Sequence, residues 1–367
     1  ARGGDLVARL GGDEFVVVMR ELSDPADAVR AAWRLAQDFR HPFPTPTGGD
    51  LYATVSVGVA IATEASMPDG LIREADSAMY AAKVAGRDRV SVFNDDLRNS
   101  LAARLAIEND LRPALDRDEL VLWFQPEVDL ATGTVLGAEA LVRWYHPTSG
   151  LLTAGEFIDV AEDSGLIVPI GEWVIRTACA SIALLGPCYR VAVNVSPRQF
   201  ANEKLPATIL SAVSAAGIRP EQLELEITEG VFLDESPENL EMFQRLKRTG
   251  VRLALDDFGT GYSNLGYLKK LPISALKIDR SFVSGIEDDP EARNIVGTII
   301  SLAHRLNLVT VAEGIETREQ AELLRRMGCA LGQGYLFGRP RVPADHEPGL
   351  PAPRPGSDVE AVERTER

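Results

Sequence analysis

Between residues 120 and 340, eight short apolar runs with strand periodicity follow one another, and helical patterns fill most of the intervals. The runs are Val121–Val128, Ala138–Trp144, Val191–Val195, Leu223–Thr228, Arg252–Asp256, Ala275–Ile278, Val309–Ala312 and Gly334–Phe337. Helical stretches include Phe157–Asp163, Ile170–Leu184, Pro206–Ala216, Leu240–Thr249 and Ile295–Leu306. Strands joined by helical crossovers run parallel, and eight of them are expected to close into a (β/α)₈ barrel.

The 367 residues are long enough for a second domain ahead of that barrel. Residues 1–93 read as part of an α/β domain. Leu6–Leu10 and Glu14–Met19 flank the hairpin punctuation Gly11-Gly12-Asp13, a helical pattern covers 24–39, and a strand pattern covers Tyr52–Val59. A second helical pattern covers Leu71–Ala85, ahead of a last short strand, Val90–Phe93. Leucines at 97, 101, 105, 111 and 115 then mark a helical connector over 94–119, or equally a capping helix of the second domain. The barrel occupies 120–345, and the Pro- and Gly-rich tail 346–367 is expected to be disordered. No initiator Met opens the chain, so it reads as a piece of something longer.

Charge and cysteine content narrow the function. Against 54 Asp and Glu stand 38 Lys and Arg, a formal net charge of −16. That balance argues against a nucleic-acid polymer as partner, but not against a small phosphate ligand met through a bound cation. Cys179, Cys188 and Cys329 suit neither a disulfide framework nor a zinc site, and His41, His146, His304 and His346 show no ligand spacing. With no apolar run approaching membrane-spanning length and no signal peptide, the expected location is cytoplasmic, an upstream anchor staying open.

The barrel strands carry polar residues that the fold does not require. Asn194, Glu226, Asp256 and Lys277 alternate with large apolar neighbours, so strand periodicity sends them inward near the C-terminal rim. Glu139 and Glu313 are expected to close two further strands. Any one acid could simply cap a strand or helix. Together, carboxylates converging on one rim would repel each other unless a cation sat among them, and an oxygen-only ligand set favours Mg²⁺ or Mn²⁺. The adjacent acids Asp256-Asp257 suit a pair of ions, since neighbouring residues at a strand end are expected to diverge. The turn Phe258-Gly259-Thr260-Gly261-Tyr262-Ser263 follows at once and is read as a loop positioning the ligands.

These motifs carry a resemblance. Glu139-Ala140-Leu141-Val142-Arg143, Asn194–Gln199, Glu226-Ile227-Thr228-Glu229, Asp256–Ser263, Leu276–Asp279, Ala312–Glu316 and Gln333-Gly334-Tyr335 stand in the order of the EAL family of cyclic di-GMP phosphodiesterases. The resemblance implies a TIM-like barrel and a bacterial signalling enzyme opening cyclic di-GMP to linear pGpG with two Mg²⁺ or Mn²⁺ ions. It assigns the metal ligands to Glu139, Asn194, Glu226, Asp256 and Asp257, with Glu313 at or beside the second ion. Lys277 would hold the attacking water and Glu313 accept its proton. Gln125, Leu141, Arg143 and Gln333 would meet substrate, Arg143 at a phosphate. Glu316 would support the site and Glu229 steady the 256–263 loop, near which family members dimerise, so a homodimer through this domain is expected. Thr153-Ala154-Gly155-Glu156-Phe157 lacks a proline that the family commonly places near Ala154.

Residues 1–93 resemble the GGDEF family of diguanylate cyclases, through Gly11-Gly12-Asp13-Glu14-Phe15 and the helix containing Ala75–Tyr80. The resemblance makes Glu14 a metal ligand and the hairpin a contact for GTP or cyclic di-GMP. Arg2 and Asp5 stand at the spacing of the family's inhibitory product site. The family's first strand would lie upstream of Ala1, so this chain by itself is not expected to make cyclic di-GMP. Three readings remain: a phosphodiesterase, a non-hydrolysing cyclic di-GMP receptor or scaffold, and a barrel enzyme for another phosphodiester, which the GGDEF segment disfavours.

Overall fold

The computed structural model describes residues 5–20, 22, 24–44, 49–63, 66–185, 189–233, 236–259 and 271–342. Arg2, Cys188, His346, the expected tail and the Thr260–Ser263 part of the glycine-rich turn lie outside the described residues. Two compact units divide between Ala106 and Ile107. The helix Asp95–Leu111 runs across that division.

In the first unit, β1 (Leu6–Gly11) and β2 (Glu14–Val18) form an antiparallel hairpin. Gly12 turns it at a φ of +51°, a backbone region that glycine enters without steric cost. Short strands β3 (Phe43–Pro44) and β4 (Asp50–Leu51) pair, and β5 (Val57–Val59) lies parallel to β6 (Val90–Val92). The strand pattern that begins at Tyr52 is realised only over Val57–Val59, because β6 offers just three residues for pairing. Helices Ala26–Phe39 and Pro68–Val84 bury their small faces, Ala28, Ala32 and Ala36 in one and Ala78 and Ala82 in the other.

The second unit is a closed eight-stranded barrel. Its strands are β7 (Leu120–Asp129), β8 (Val135–His146), β10 (Arg190–Val195), β11 (Leu223–Thr228), β12 (Arg252–Phe258), β13 (Ala275–Ile278), β14 (Val309–Ala312) and β15 (Leu331–Gln333). The short β9 (Gly150–Thr153) pairs with β8 outside the ring. Strands β10 to β15 run parallel, but β7 is antiparallel to both its neighbours, β15 and β8. The reason is local: only five residues separate β7 from β8, enough for a turn and too few for a helical crossover.

The eighth strand is Leu331–Gln333 rather than Gly334–Phe337. A Cβ at Gly334 would lie 2.1 Å from the Ile315 carbonyl oxygen, so the chain passes backbone against backbone there and leaves the ladder. Glu139 also stands in the middle of its twelve-residue strand rather than at the end. Helix Ala154–Ser164 begins without the proline, and Glu156 accepts there from the Thr153 backbone N–H at 2.7 Å and from its hydroxyl at 2.9 Å.

The apolar partners of the inward polar residues pack between sheet and helices. Val191, Val193, Leu225, Leu253, Leu255 and Leu276 are all buried. Helix Ile167–Leu185 contains an 18-residue window of mean hydropathy 1.4, long and apolar enough to cross a bilayer, which differs from the sequence expectation. Its Ile170, Ile175, Ala178 and Ile182 pack into the barrel's core.

Candidate active site

Strand register brings the acids together. Across the β7–β8 hairpin Gln125 pairs with Glu139, and in the parallel β10–β11 pair Asn194 is level with Glu226. The Asn194 amide donates to Glu139 Oε1 at 2.6 Å. Gln333, on β15, donates from Nε2 to Glu139 Oε2 at 2.7 Å and to Gln125 Oε1 at 3.0 Å. Gln125 in turn donates to the Gly338 carbonyl at 3.2 Å. Two amide side chains, Asn194 and Gln333, thus fix one carboxylate, and Gln125 holds Gln333.

Lys277 is the centre of the cluster, with 1% of its side chain exposed. Its ammonium lies 2.5 Å from Glu313 Oε1, 2.7 Å from Glu226 Oε1, 3.4 Å from Asp256 Oδ1 and 3.8 Å from Glu139 Oε2. Burial works against its charge, but the four surrounding acids outweigh burial and hold its pKa well above the ordinary lysine value. It is therefore held protonated among these acids.

The carboxyls respond in different directions. Burial would raise Glu139, but Lys277, Gln333 and Asn194 hold it below the ordinary value. Burial first, and then the Glu139 charge, push Glu226 well above it. Burial raises Glu313 to about 7, with Asp256 and Glu139 adding to the effect against Lys277. Asp257 is raised by burial and by the charge of Asp256.

The two adjacent acids do not diverge as expected. The β12–β13 register slips between Leu255 and Phe258, and Asp257 takes a left-handed backbone with φ of +54°. Asp tolerates this conformation better than most residues. In a regular strand residues 256 and 257 would face opposite sides; with this irregularity, oxygens of Asp256, Asp257 and Glu313 all lie within 4.8 Å of one another. The Asp256 carboxylate accepts from the Asp257 backbone N–H at 3.0 Å. Beyond it, Glu229 accepts from the Gly259 N–H at 3.2 Å and so fixes the start of the following loop.

This donor set fits a hard divalent cation. It offers carboxylate oxygens with no sulfur or imidazole, and the fully buried Glu226 carboxyl is met by the Lys277 ammonium at 2.7 Å. Ions here would replace part of the compensation that Lys277 alone now supplies.

Other expected site residues stand apart from the cluster. Arg143 is half-buried, donates to the Val142 carbonyl and lies 5.6 Å from the Trp123 ring centroid; burial lowers its pKa. Leu141 is half-buried on the same strand. The Glu316 side chain is exposed, and its backbone N–H donates to Gln320. Gly11, Gly12, Asp13, Glu14 and Phe15 belong to the exposed hairpin of the first unit, and Asp5 precedes it.

Two interior acids stand outside the expected set of site residues. Glu127 is buried with one carboxylate oxygen lacking a partner, and burial together with the nearby charge of Glu224 raises it to about 7. Glu224 is held by Arg252 at 2.7 Å. The signal was available: Glu127 lies two residues from Gln125 and Glu224 two residues from Glu226, on the same strand faces.

Comparison with known proteins identifies the kind of barrel. The EAL domain family matches residues 108–340, and the diguanylate cyclase GGDEF domain family matches residues 1–89. The bifunctional diguanylate cyclase/cyclic di-GMP phosphodiesterase MucR of Pseudomonas aeruginosa is 41% identical over 349 residues, 94% of this chain and 50% of that protein. The cyclic di-GMP phosphodiesterase NbdA of the same organism is 39% identical over 344 residues, 92% of this chain and 44% of that protein. The chain thus spans about half the length of these curated relatives. A solved structure described as the PaMucR phosphodiesterase in complex with c-di-GMP superposes with a TM-score of 0.63 at 44% identity, covering 65% of this chain and 98% of that one.

Proposed function

The chain belongs to the EAL domain family, and from that membership we propose that its barrel is a metal-dependent phosphodiesterase hydrolysing cyclic di-GMP to linear pGpG. The observation that carries the reading is a complete set of oxygen donors, Glu139, Asn194, Glu226, Asp256, Asp257 and Glu313, packed around one buried lysine.

Glu139, Asn194, Glu226 and the Asp256-Asp257 pair would hold two Mg²⁺ or Mn²⁺ ions, with Glu313 at the second. The chemistry available from such a pair is polarisation of a phosphoryl oxygen and acidification of a water. Lys277, kept protonated, donates a hydrogen bond that orients the water oxygen for attack. Glu313, with a pKa of about 7, is suited to accept the proton that this water loses. The water oxygen bonds to phosphorus, the bond from phosphorus to the 3′ oxygen breaks, and that oxygen leaves as a hydroxyl with a solvent proton. Arg143, beside the Trp123 ring, would meet a phosphate, while Gln333, itself held by Gln125, keeps Glu139 in place, and the two amides would line the substrate's side of the site. Glu229 would keep the loop after β12 in register. A second copy of the barrel is the expected partner. For the first unit, the Gly11–Phe15 hairpin is the proposed contact for GTP or cyclic di-GMP.

The test is turnover of cyclic di-GMP by the purified chain with Mg²⁺ or Mn²⁺, beside Glu139→Ala. Linear product from the parent and none from the variant supports the hydrolase. Tight binding of uncut cyclic di-GMP by the metal-loaded parent would instead establish a receptor.

A further inference from the structure

We propose that Glu287 is a positioning residue for the second-ion side of the site, acting through the backbone that carries Glu313. The inference rests on the metal-dependent reading above and adds a residue that the sequence motifs do not single out.

Glu313 follows β14 directly, and its backbone N–H donates to the Ile278 carbonyl at the end of β13. The next residues turn sharply. Ile315 is fully buried, donating to the Gln333 carbonyl and accepting from the Leu336 N–H. The segment ends at Glu316 and Thr317, whose two N–H groups share Gln320 Oε1 at 2.8 and 3.1 Å. In return the Gln320 N–H donates to Thr317 Oγ1 at 3.1 Å. This box closes the segment from Glu313 to Thr317 at its far end.

Glu287 fastens the box from outside. The Thr317 hydroxyl donates to its Oε1, and Gln320 Nε2 donates to its Oε2 at 3.4 Å. The Glu287 backbone is held in its turn, because Ile286 beside it is fully buried and Arg293 donates to the Glu287 carbonyl at 3.3 Å. Glu287 belongs to the connection that leaves β13, the strand of Lys277. It therefore ties the segment after the lysine's strand to the segment that presents Glu313, whose carboxylate stands 2.5 Å from that lysine. One carboxylate accepting from both members of a capping box makes charge-assisted hydrogen bonds, stronger than the neutral bonds of the box itself. A helix cap alone needs no such acceptor.

The experiment is calorimetric titration of Mn²⁺ into metal-free protein, for the parent, Glu287→Ala, Glu287→Gln, Thr317→Val and the Ala/Val double variant. Removing a hydrogen-bonded support of a metal ligand weakens affinity by about 10–100-fold. We expect Glu287→Ala to weaken the lower-affinity ion by about tenfold. Thr317→Val removes the same bond and also the acceptor of the Gln320 N–H, so it should weaken the ion at least as much, and the double variant should be no worse than Thr317→Val. Glu287→Gln keeps an acceptor for the Thr317 hydroxyl and should stay within about threefold of the parent. Parental affinity in Glu287→Ala, or additive losses in the double variant, would overturn the proposal. If Glu287→Ala is unfolded in chelator by circular dichroism, Glu287→Gln against Thr317→Val decides in the same way. A parent that binds Mn²⁺ but does not cleave cyclic di-GMP sinks the proposed reaction and leaves this inference to be judged on the affinities. A parent that takes up no Mn²⁺ overturns both.

Discussion

The Lys277 ammonium and the Glu226 carboxylate lie 2.7 Å apart with 1% and 0% of their side chains exposed. Burial and the Glu139 charge push the Glu226 carboxyl well above its ordinary value, and Lys277 faces three other acids besides. One cation holds together a cluster that otherwise carries only like charge.

Lys277→Met should therefore harm the metal-free protein more than the metal-loaded one. Breaking a buried pair by removing one partner costs about 3–5 kcal/mol. Thermal unfolding in chelator should show that loss, and Mn²⁺ should restore part of it by supplying positive charge among Glu139, Glu226, Asp256 and Glu313. Hydrolysis should stay about 10²–10⁴ below the parent even with metal, because the proposed donor to the water is gone. A variant as stable in chelator as the parent would contradict the account.

Asp257 separates backbone from ligand. Its φ of +54° suits glycine, and its carboxyl is raised by burial and by Asp256. Asp257→Gly should keep metal-free stability within about 1 kcal/mol of the parent, since lost strain and repulsion offset the extra freedom of the unfolded chain. Asp257→Val should cost about 1–2 kcal/mol more, because a β-branched side chain clashes in the left-handed region. Both should lose Mn²⁺ affinity. Urea unfolding in chelator, with titration of Mn²⁺ alongside, checks the pattern; equal stability of the two variants would refute it.

The raised carboxyls set a pH slope. Glu313 and Glu127 each titrate near 7 in the folded chain against an ordinary value of 4.5, so the folded state holds protons that the unfolded state has released. Their contribution is fully present below about pH 4.5 and is lost as pH rises towards 7. Metal-free stability should thus fall across that window by on the order of 1–3 kcal/mol. Glu127→Gln, which keeps the shape without the charge, should flatten the slope. Urea unfolding at pH 5, 6 and 7 measures it, and a slope of the opposite sign would count against buried neutral carboxyls.

Much of the barrel was legible in the sequence, because strand alternation is local. Lys277 between Leu276 and Ile278, and Glu226 between Leu225 and Ile227, announce their inward face without any knowledge of the fold. What escaped depends on distant neighbours. The last strand stops at Gln333 because Gly334 meets Ile315, nineteen positions earlier, and no local pattern reports that approach. Asp257 joins Asp256 only through a register slip against β13, visible only once the two strands are paired. Glu287 sits in an unremarkable acidic stretch, and its role depends on Thr317 and Gln320, thirty or more residues away.

The reversed direction of β7 has a mechanical consequence. In an all-parallel barrel the chain would arrive at the floor, opposite the catalytic rim. Here Leu120 pairs with Trp144 at the far end of β8, so the chain reaches the barrel on the same side as the acids. The segment before β7 is fastened there: Glu119 accepts from the Trp144 indole at 3.0 Å, and Asp110 meets His146 at 3.2 Å. The entry segment and the strand that carries Glu139 and Arg143 are thus joined directly, side chain to side chain.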